Sequence, residues 1–294
     1  MTERALQREL RLSWRKIVSL ADLADDRYHE AELPKLGGDP RPLLIPRGRL
    51  KQVQTILRRK VFATIPPHAA SFCVRGRGAV AAAELHAWRE YFLHADIKKF
   101  YPSVTPQHVT EALVRLKMDR PVAEIVTRLV TTRGMLPQGA TTSPALGELV
   151  LFPLDHRISG LARGSITYTR YADDIAISGG KKRMLWVQRR VVEIVEDFGW
   201  QLNSKGGLFG PDKQHIMLGI VVNGSPNVSR RYVDDVRRML RLAATGTVKL
   251  AEGQVRSLRG KLEWIATVNP RRAASLRPLF EEAVRRSSSL TAAD

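Results

Sequence analysis

The sequence has almost no cysteine, few aromatic residues and fewer acidic than basic residues. Among its 294 residues there is one cysteine, Cys73. A single cysteine excludes an intrachain disulfide framework and any zinc site made of several cysteines. No apolar run approaches the roughly 20 residues that a membrane helix needs, so we expect no membrane span. The first ten residues, MTERALQREL, are charged, which predicts no secretory signal and a cytoplasmic location.

The shortage of acidic residues leaves the chain strongly positive. Lys and Arg number 48 against 29 Asp and Glu, which gives a formal net charge of +19. Basic side chains gain affinity for phosphates by displacing counterions. The charge therefore predicts a nucleic-acid partner, and the alternative is a solvated basic surface with no such partner.

Hydrophobic periodicity and turn residues predict a mixture of helices and strands. Residues 91–97 form a short apolar run ending in an acid, which indicates a buried strand. Residues 165–178 alternate β-branched and aromatic residues around Ala-Asp-Asp, which predicts a hairpin with acids at its tip. Two short strands are expected around 207–222, and basic helices from Ser229 onward. Further helices are predicted at 50–60, 79–87, 105–117, 143–158 and 184–198.

Three aspartates lie at positions where the negative charge of a carboxylate needs a compensating positive charge. Asp96 ends the apolar strand, and Asp173 and Asp174 are adjacent at the hairpin tip. A carboxylate beside a buried strand costs several kcal/mol unless something compensates it, and adjacent carboxylates repel each other. Two divalent cations about 4 Å apart would meet both needs and would support phosphoryl chemistry. The alternative for Asp173-Asp174 is ordinary turn chemistry.

Five motifs occur in an order typical of one enzyme family. They are Asp96 to Val104 (DIKKFYPSV), Leu136 to Gly139 (LPQG) followed by Ser143-Pro144, Tyr171 to Asp174 (YADD), Leu202 to Lys205 (LNSK), and Leu218-Gly219. The chain resembles reverse transcriptases, in which these motifs form the catalytic strand, the nucleotide-positioning loop, the YxDD hairpin and two later palm elements.

The resemblance is to retron-type bacterial reverse transcriptases over nearly the whole chain. Arg41 to Pro46 resembles their early fingers segment, and Phe72 to His86 resembles the next element. The likeness continues through Gly219 to Asn223 and Arg259 to Leu262. The chain departs from that pattern at Ala82-Ala83 and at Met217-Leu218-Gly219. These departures leave open a related defence-associated or other small bacterial lineage.

The resemblance implies an α+β right-hand polymerase. Residues 1–90 and 105–145 would form the fingers, and residues 91–104 and 146–225 the antiparallel-sheet palm with the YADD hairpin. Residues 226–294 would form a basic helical thumb. The implied reaction is RNA-directed DNA synthesis, in which a primer hydroxyl attacks the α-phosphate of a dNTP with two Mg²⁺ ions.

The resemblance also assigns roles to individual residues. Asp96, Asp173 and Asp174 would be the catalytic metal ligands, joined by the backbone carbonyl of Ile97. Tyr101 would lie under the incoming sugar and exclude a 2′-hydroxyl. The other nucleotide-binding candidates are Arg41, Gln138, Gly139 and Lys205. The primer- or template-binding candidates are Leu218, Gly219, Arg230, Arg231, Arg237, Arg238, Arg259 and Lys261.

The retron resemblance implies partners beyond the dNTPs. They are a structured non-coding RNA that serves as template and primer, its DNA product, and a separately encoded effector protein in an anti-phage role; no membrane partner is expected. Two alternatives are kept. One is an RNA-dependent RNA polymerase, and the other is an RNA-binding protein whose palm no longer catalyses.

Overall fold

The computed structural model describes residues 1–34, 40–204 and 206–289. It has an α+β architecture in which helices surround antiparallel sheets. The N-terminal part contains two strands that pair as an antiparallel ribbon, with Tyr28 opposite Pro46 and Leu33 opposite Arg41. Its elements are α1 (Glu3–Leu10), α2 (Trp14–Asp22), β1 (Tyr28–Leu33), β2 (Arg41–Pro46), α3 (Gly48–Lys60) and α4 (Ala79–His86).

The central part contains a four-stranded antiparallel sheet in the order β4-β5-β3-β6. Strand β3 lies inside this sheet and pairs with β5 on one side and β6 on the other. The elements are β3 (Tyr91–Asp96), α5 (Phe100–Ser103), α6 (Pro106–Arg115), α7 (Arg120–Val130), α8 (Ser143–Leu161), β4 (Thr167–Tyr171), β5 (Asp174–Gly179), α9 (Lys181–Asp197) and β6 (Gly207–Phe209).

The C-terminal part begins with a small three-stranded sheet and continues as helices. Its elements are β7 (Ile216–Met217), β8 (Ile220–Val221), β9 (Asn227–Val228), α10 (Arg230–Ala244), α11 (Glu252–Val268), α12 (Pro270–Ala274) and α13 (Arg277–Ser289). Helix α10 buries one apolar stripe, formed by Val233, Val236, Leu240 and Ala243. This stripe belongs to an apolar core distinct from the larger core beneath the central sheet.

Local sequence explains why several of these elements begin where they do. Thr105 caps α6 by accepting a hydrogen bond from the His108 amide, and Pro106 occupies the first helical position. A proline there costs nothing because the missing N–H would have no helical partner. Helix α8 likewise has Pro144 in its first turn.

Most of the predicted elements are confirmed. The helices predicted at 50–60, 79–87, 105–117, 143–158 and 184–198 correspond to α3, α4, α6, α8 and α9, and the hairpin corresponds to β4 and β5. The prediction of two short strands around 207–222 is wrong. Three lie there, because β6 joins the central sheet while β7 and β8 pair with each other. In the described ranges no helix is both long and apolar enough to cross a membrane.

Candidate active site

The three aspartates meet at one end of the central sheet. Strands β3 and β5 are paired so that Asp96 lies directly opposite Asp174. The Ile97 amide donates a hydrogen bond of 3.3 Å to the backbone carbonyl of Asp173. Opposite residues of an antiparallel pair have Cα atoms only about 4.5–5.5 Å apart. The pairing therefore brings together carboxylates that are far apart in the sequence.

Two neighbours orient these carboxylates, and neither was among the predicted site residues. The Asn203 side-chain amide donates to Asp96 Oδ2, while its backbone amide donates to the Asp96 carbonyl at 2.8 Å. His94 Nε2 lies 3.1 Å from Asp174 Oδ1. Asn203 belongs to the LNSK motif, so the sequence contained a signal for it. His94 lies two residues before Asp96 on the same strand, and no sequence pattern distinguished it.

The carboxylates of Asp96 and Asp173 have too little positive charge around them to offset their burial and mutual repulsion. Burial raises the pKa of Asp173 to about 6, and the charges of Asp96 and Asp174 add to the rise. Burial also raises the pKa of Asp96, although the hydrogen bond from Asn203 opposes this. The Arg41 guanidinium lowers both pKa values. A site of half-buried, mutually repelling carboxylates suits a cation with oxygen ligands.

The oxygen donors fit a hard divalent cation, but the protein offers only part of a coordination shell. In the part of the chain that the structure describes, no three His, Cys, Asp or Glu side chains already converge on one ion position. Asp96 and Asp174 each engage a neighbouring side chain instead. Mg²⁺ is commonly bound by one or two carboxylates together with substrate phosphates. The residues that would hold it are Asp96, Asp173 and Asp174, with the Ile97 carbonyl.

A buried ion network holds the hairpin tip. Arg170 is fully buried on β4 and donates to both carboxylate oxygens of Asp155 at 2.7 Å. It also donates to both oxygens of Glu148, at 3.1 and 2.9 Å. A further bond of 2.6 Å reaches the carbonyl of Ala172, whose φ of 55° places it in the left-handed region. Arg170 thus connects α8 to the residue just before Asp173.

This network was missed by the sequence reasoning. A signal for it existed, because Asp155 interrupts the long apolar stretch of α8 and is fully buried. A buried acid needs a cationic partner. The sequence did not show that Arg170, on the neighbouring strand, was that partner.

Tyr101 is partly buried close to the aspartates. Burial raises the pKa of Tyr101 to about 12, and the negative charge of Asp173 contributes to the rise. Gly147 on α8 makes room for the aromatic pair Phe100 and Tyr101, because a Cβ at Gly147 would lie 3.2 Å from the Phe100 ring.

A largely apolar cavity of about 480 Å³ adjoins Tyr101 and Ala172.

The predicted nucleotide-binding residues on the fingers side lie around β2. Arg41 is its exposed first residue. The Leu44 amide donates a hydrogen bond of 2.7 Å to the Gln138 carbonyl, and this bond attaches the LPQG loop to β2. Gly139 has a φ of 103° and packs against residues 43–45, so a side chain there would be strained and crowded. Lys205 lies outside the described residues.

The predicted primer and template contacts lie in the C-terminal part. Leu218 and Gly219 form the turn between β7 and β8, with φ values of 51° and 80°. On α10, Arg230 and Arg237 pair with Asp234, and Arg238 pairs with Asp235. Arg231 on α10 and Lys261 on α11 are exposed. Arg259 on α11 lies over the Phe280 ring. The basic surface of α10 is thus partly neutralised by its own acids.

Comparison with known proteins identifies similar sequences. Residues 33–218 match the family described as reverse transcriptase (RNA-dependent DNA polymerase). The chain is 33% identical over 272 residues to the Retron Mx65 reverse transcriptase of Myxococcus xanthus, covering 85% of this chain and 63% of that protein. It is 28% identical over 273 residues to the Retron Ec86 reverse transcriptase of Escherichia coli, covering 90% of this chain and 83% of that protein.

Solved structures with a similar fold include two polymerases. A telomerase from Candida albicans aligns with a TM-score of 0.53 and 10% identity, covering 89% of this chain and 60% of that chain. A foamy viral protease-reverse transcriptase in complex with double-stranded DNA aligns with a TM-score of 0.52 and 15% identity, covering 91% of this chain and 43% of that chain. At these identities the likeness concerns the fold, and it agrees with the α+β polymerase architecture expected from the sequence.

Proposed function

Because the chain belongs to the reverse transcriptase family, we propose that it is an RNA-directed DNA polymerase that copies a structured RNA into DNA. The observation that carries the proposal is the register of β3 and β5, which places Asp96 opposite Asp174 and beside Asp173. Carboxylates gathered at one sheet end can serve as ligands for the two metal ions of nucleotidyl transfer.

We propose Mg²⁺ as the metal, with two ions per site. When bound, two such ions would supply activation of the primer hydroxyl and charge stabilisation of the departing pyrophosphate. Asp96 at the end of β3 and Asp173 in the turn between β4 and β5 would supply ligands, and Asn203 holds the Asp96 carboxylate in place. Arg41 supplies a cation on the side of β2, where its planar fork suits triphosphate oxygens.

The roles of Tyr101 and the LPQG loop follow from their positions. The bulky Tyr101 side chain lies close to Asp173. There it would clash with the 2′-hydroxyl of an incoming NTP, and the site would therefore favour dNTPs. Gln138 and Gly139 are proposed to contact the nucleotide from a loop that is hydrogen-bonded to β2, the strand that Arg41 begins. This arrangement supports a DNA polymerase, and the RNA polymerase alternative is not favoured. The intact aspartate set argues against a palm that no longer catalyses.

The domain division and the partners remain part of the proposal. We assign fingers, palm and thumb as predicted; the C-terminal helices share an apolar core with α4 and with Phe92 and Ala176 of the central sheet. The chain spans 63% of the length of the Mx65 relative. A retron-like role, with its own structured RNA and a separately encoded effector in phage defence, is proposed from the similarity to retron enzymes. The cytoplasmic location stays a prediction.

Primer extension with purified protein tests this function. The substrate is an RNA template annealed to a DNA primer, supplied with dNTPs or NTPs and with Mg²⁺ or a chelator. We expect Mg²⁺-dependent extension with dNTPs, and abolition of it by Asp173→Asn. The control is Asp197→Asn, which removes an exposed charge paired with Arg157 and should leave extension unchanged. Preferential use of NTPs, or full activity of Asp173→Asn, would refute the proposal.

A further inference from the structure

Helix α9 exposes large apolar side chains on its outer side. Leu185 is 51% exposed, Trp186 48% and Val192 37%. The inner side of the helix packs into the larger apolar core with Leu93 and Ala95 of β3, through Met184, Val187, Val191, Ile194 and Val195. Exposed apolar side chains gathered on one helix indicate a surface that another molecule covers.

Five residues of α9 form one row along its exposed flank. They recur at spacings of three and four residues, which places them on the same flank of a helix, and they are Lys181, Leu185, Gln188, Val192 and Glu196. All of them are exposed except Gln188, which is partly exposed. At the helical rise per residue the row is roughly 22 Å long. We name these five residues the α9 row.

The charges of α9 are ordered against the helix dipole. Residues 181–189 contain four basic residues and no acid, whereas residues 190–197 contain three acids and one arginine. The N-terminus of a helix is positive and its C-terminus is negative, so basic residues in the first turn and acids in the last turn are unfavourable. The stability of α9 by itself therefore does not account for this order.

The two charged ends of the α9 row are available to another molecule. In the part of the chain that the structure describes, neither Lys181 nor Glu196 forms an ion pair through its side chain. The other two acids of α9 do have partners, because Glu193 pairs with Arg190 and Asp197 pairs with Arg157. An ion pair within the chain therefore does not explain Lys181 or Glu196 either.

The α9 row is complementary to itself when a second copy of the helix lies antiparallel to it. Lys181 and Glu196 lie equally far from the centre of the row, and so do Leu185 and Val192. A two-fold axis at that centre places Lys181 opposite Glu196 of the second copy, twice in the pair. The same axis places Leu185 opposite Val192 of the second copy. A parallel pair would instead bring the two basic ends together, and like charges repel.

We propose that α9 is the contact surface of a homodimer, in which two copies of the chain meet through antiparallel α9 rows. Nucleic acid is a less suitable occupant, because the acids in the second half of α9 would repel a phosphate backbone that follows the helix. One helix pair is small beside the standard interface of about 1,600 Å². We therefore expect a weak dimer with a dissociation constant on the order of 10 μM.

This contact leaves the candidate active site open. Successive side chains of a strand point to opposite faces of a sheet. Leu93 and Ala95 face α9, whereas Phe92 belongs to the other apolar core. Asp96 is on the same face as Phe92 and therefore on the face opposite α9. Both copies of the dimer keep this face free, and the dimer does not depend on the proposed polymerase function.

Charge reversal within the α9 row tests the dimer. Sedimentation velocity over a concentration series measures the dissociation constant of the full chain, freed of nucleic acid by nuclease treatment. The single variants are Lys181→Glu and Glu196→Lys, and the swap variant carries both changes. The matched control is Arg183→Glu, which reverses an exposed charge in the same turn of α9 but about 200° around the helix from Lys181.

We expect each single variant to dimerise about tenfold more weakly than the wild type, because it turns two attractive contacts into two repulsive ones. The swap variant should regain the affinity of the wild type to within about threefold, since both opposite-charge contacts return with their signs exchanged. Arg183→Glu should dimerise like the wild type. The single variants bring the charges of α9 into agreement with the helix dipole, so circular-dichroism melting should show no loss of folding.

Three results would overturn the proposal. The first is a wild-type chain that stays monomeric at about ten times the expected dissociation constant. The second is a swap variant that dimerises no better than the single variants, because it would exclude the antiparallel contact. The third is association that disappears on nuclease treatment, which would assign the surface to nucleic acid.

Discussion

Replacement of Arg170 by methionine tests whether the buried ion network supports the hairpin tip. The arginine side chain is fully buried, and methionine has a similar volume without charge. The change would leave Asp155, also fully buried, without a cation, and Glu148 with only 18% of its side chain exposed. Removing one partner of a buried ion pair costs about 3–5 kcal/mol. We expect the free energy of unfolding to fall by that amount, a large part of the typical 5–15 kcal/mol.

Urea unfolding measures this loss, and an exposed ion pair supplies the control. Arg157 on the same helix as Asp155 pairs with Asp197, and their side chains are 40% and 56% exposed. Exposed pairs contribute roughly 0–1 kcal/mol, so Arg157→Met should cost no more than that. Adding Asp155→Asn to Arg170→Met should recover part of the stability, because it removes the orphaned charge.

Activity provides a second measurement of the same variant. Loss of the bond from Arg170 to the Ala172 carbonyl frees the residue before Asp173. We therefore expect the extension rate to fall more in Arg170→Met than in Arg157→Met at a temperature where both are folded. A stability loss under about 1 kcal/mol, with the rate equal to that of Arg157→Met, would refute the reasoning.

Three further predictions concern other parts of the protein. His86 is buried between Ser178 and Thr169, and its pKa is lowered from 6.5 to about 3 by burial. Unfolding therefore takes up a proton at this residue below pH 6.5, so the free energy of unfolding of the wild type, relative to that of His86→Gln, should fall by roughly 1.4 kcal/mol for each unit by which the pH drops below 6.5. A pH series of urea titrations on both proteins measures this difference, and a difference that does not change with pH would contradict it. Gly206→Ala would place a Cβ 2.5 Å from the His94 carbonyl, whereas Gly207→Ala meets nothing within 4 Å; circular-dichroism melting should show a loss of about 1–3 kcal/mol in the first variant only. Tyr101→Ala should raise NTP use relative to dNTP use by about tenfold or more in single-nucleotide incorporation, and an unchanged ratio would contradict its proposed clash with the 2′-hydroxyl.

Sequence reasoning identified a candidate site because the residues proposed for it fall in short ordered motifs. Asp96 and the YADD hairpin could be placed at strand ends by local pattern alone, and the register of β3 with β5 agrees with that placement. The contacts of Arg170 and His94 could not be predicted in the same way. They depend on which helix and strand pack together, and local periodicity does not contain that information. The number of strands around 207–222 was predicted wrongly for a related reason, since segments of two or three residues show no measurable alternation.

The pairing of β3 with β5 has a consequence for how the protein matures. The two strands that carry the aspartates are separated by four helices and β4. Contacts between distant parts of a chain form late, because closing a long loop costs entropy before the contact repays it. During synthesis the ribosome must release the chain beyond Gly179 before the two strands can meet. A nascent polypeptide shorter than this cannot assemble the candidate active site, so under the proposed function polymerase activity would appear only after most of the protein has been made.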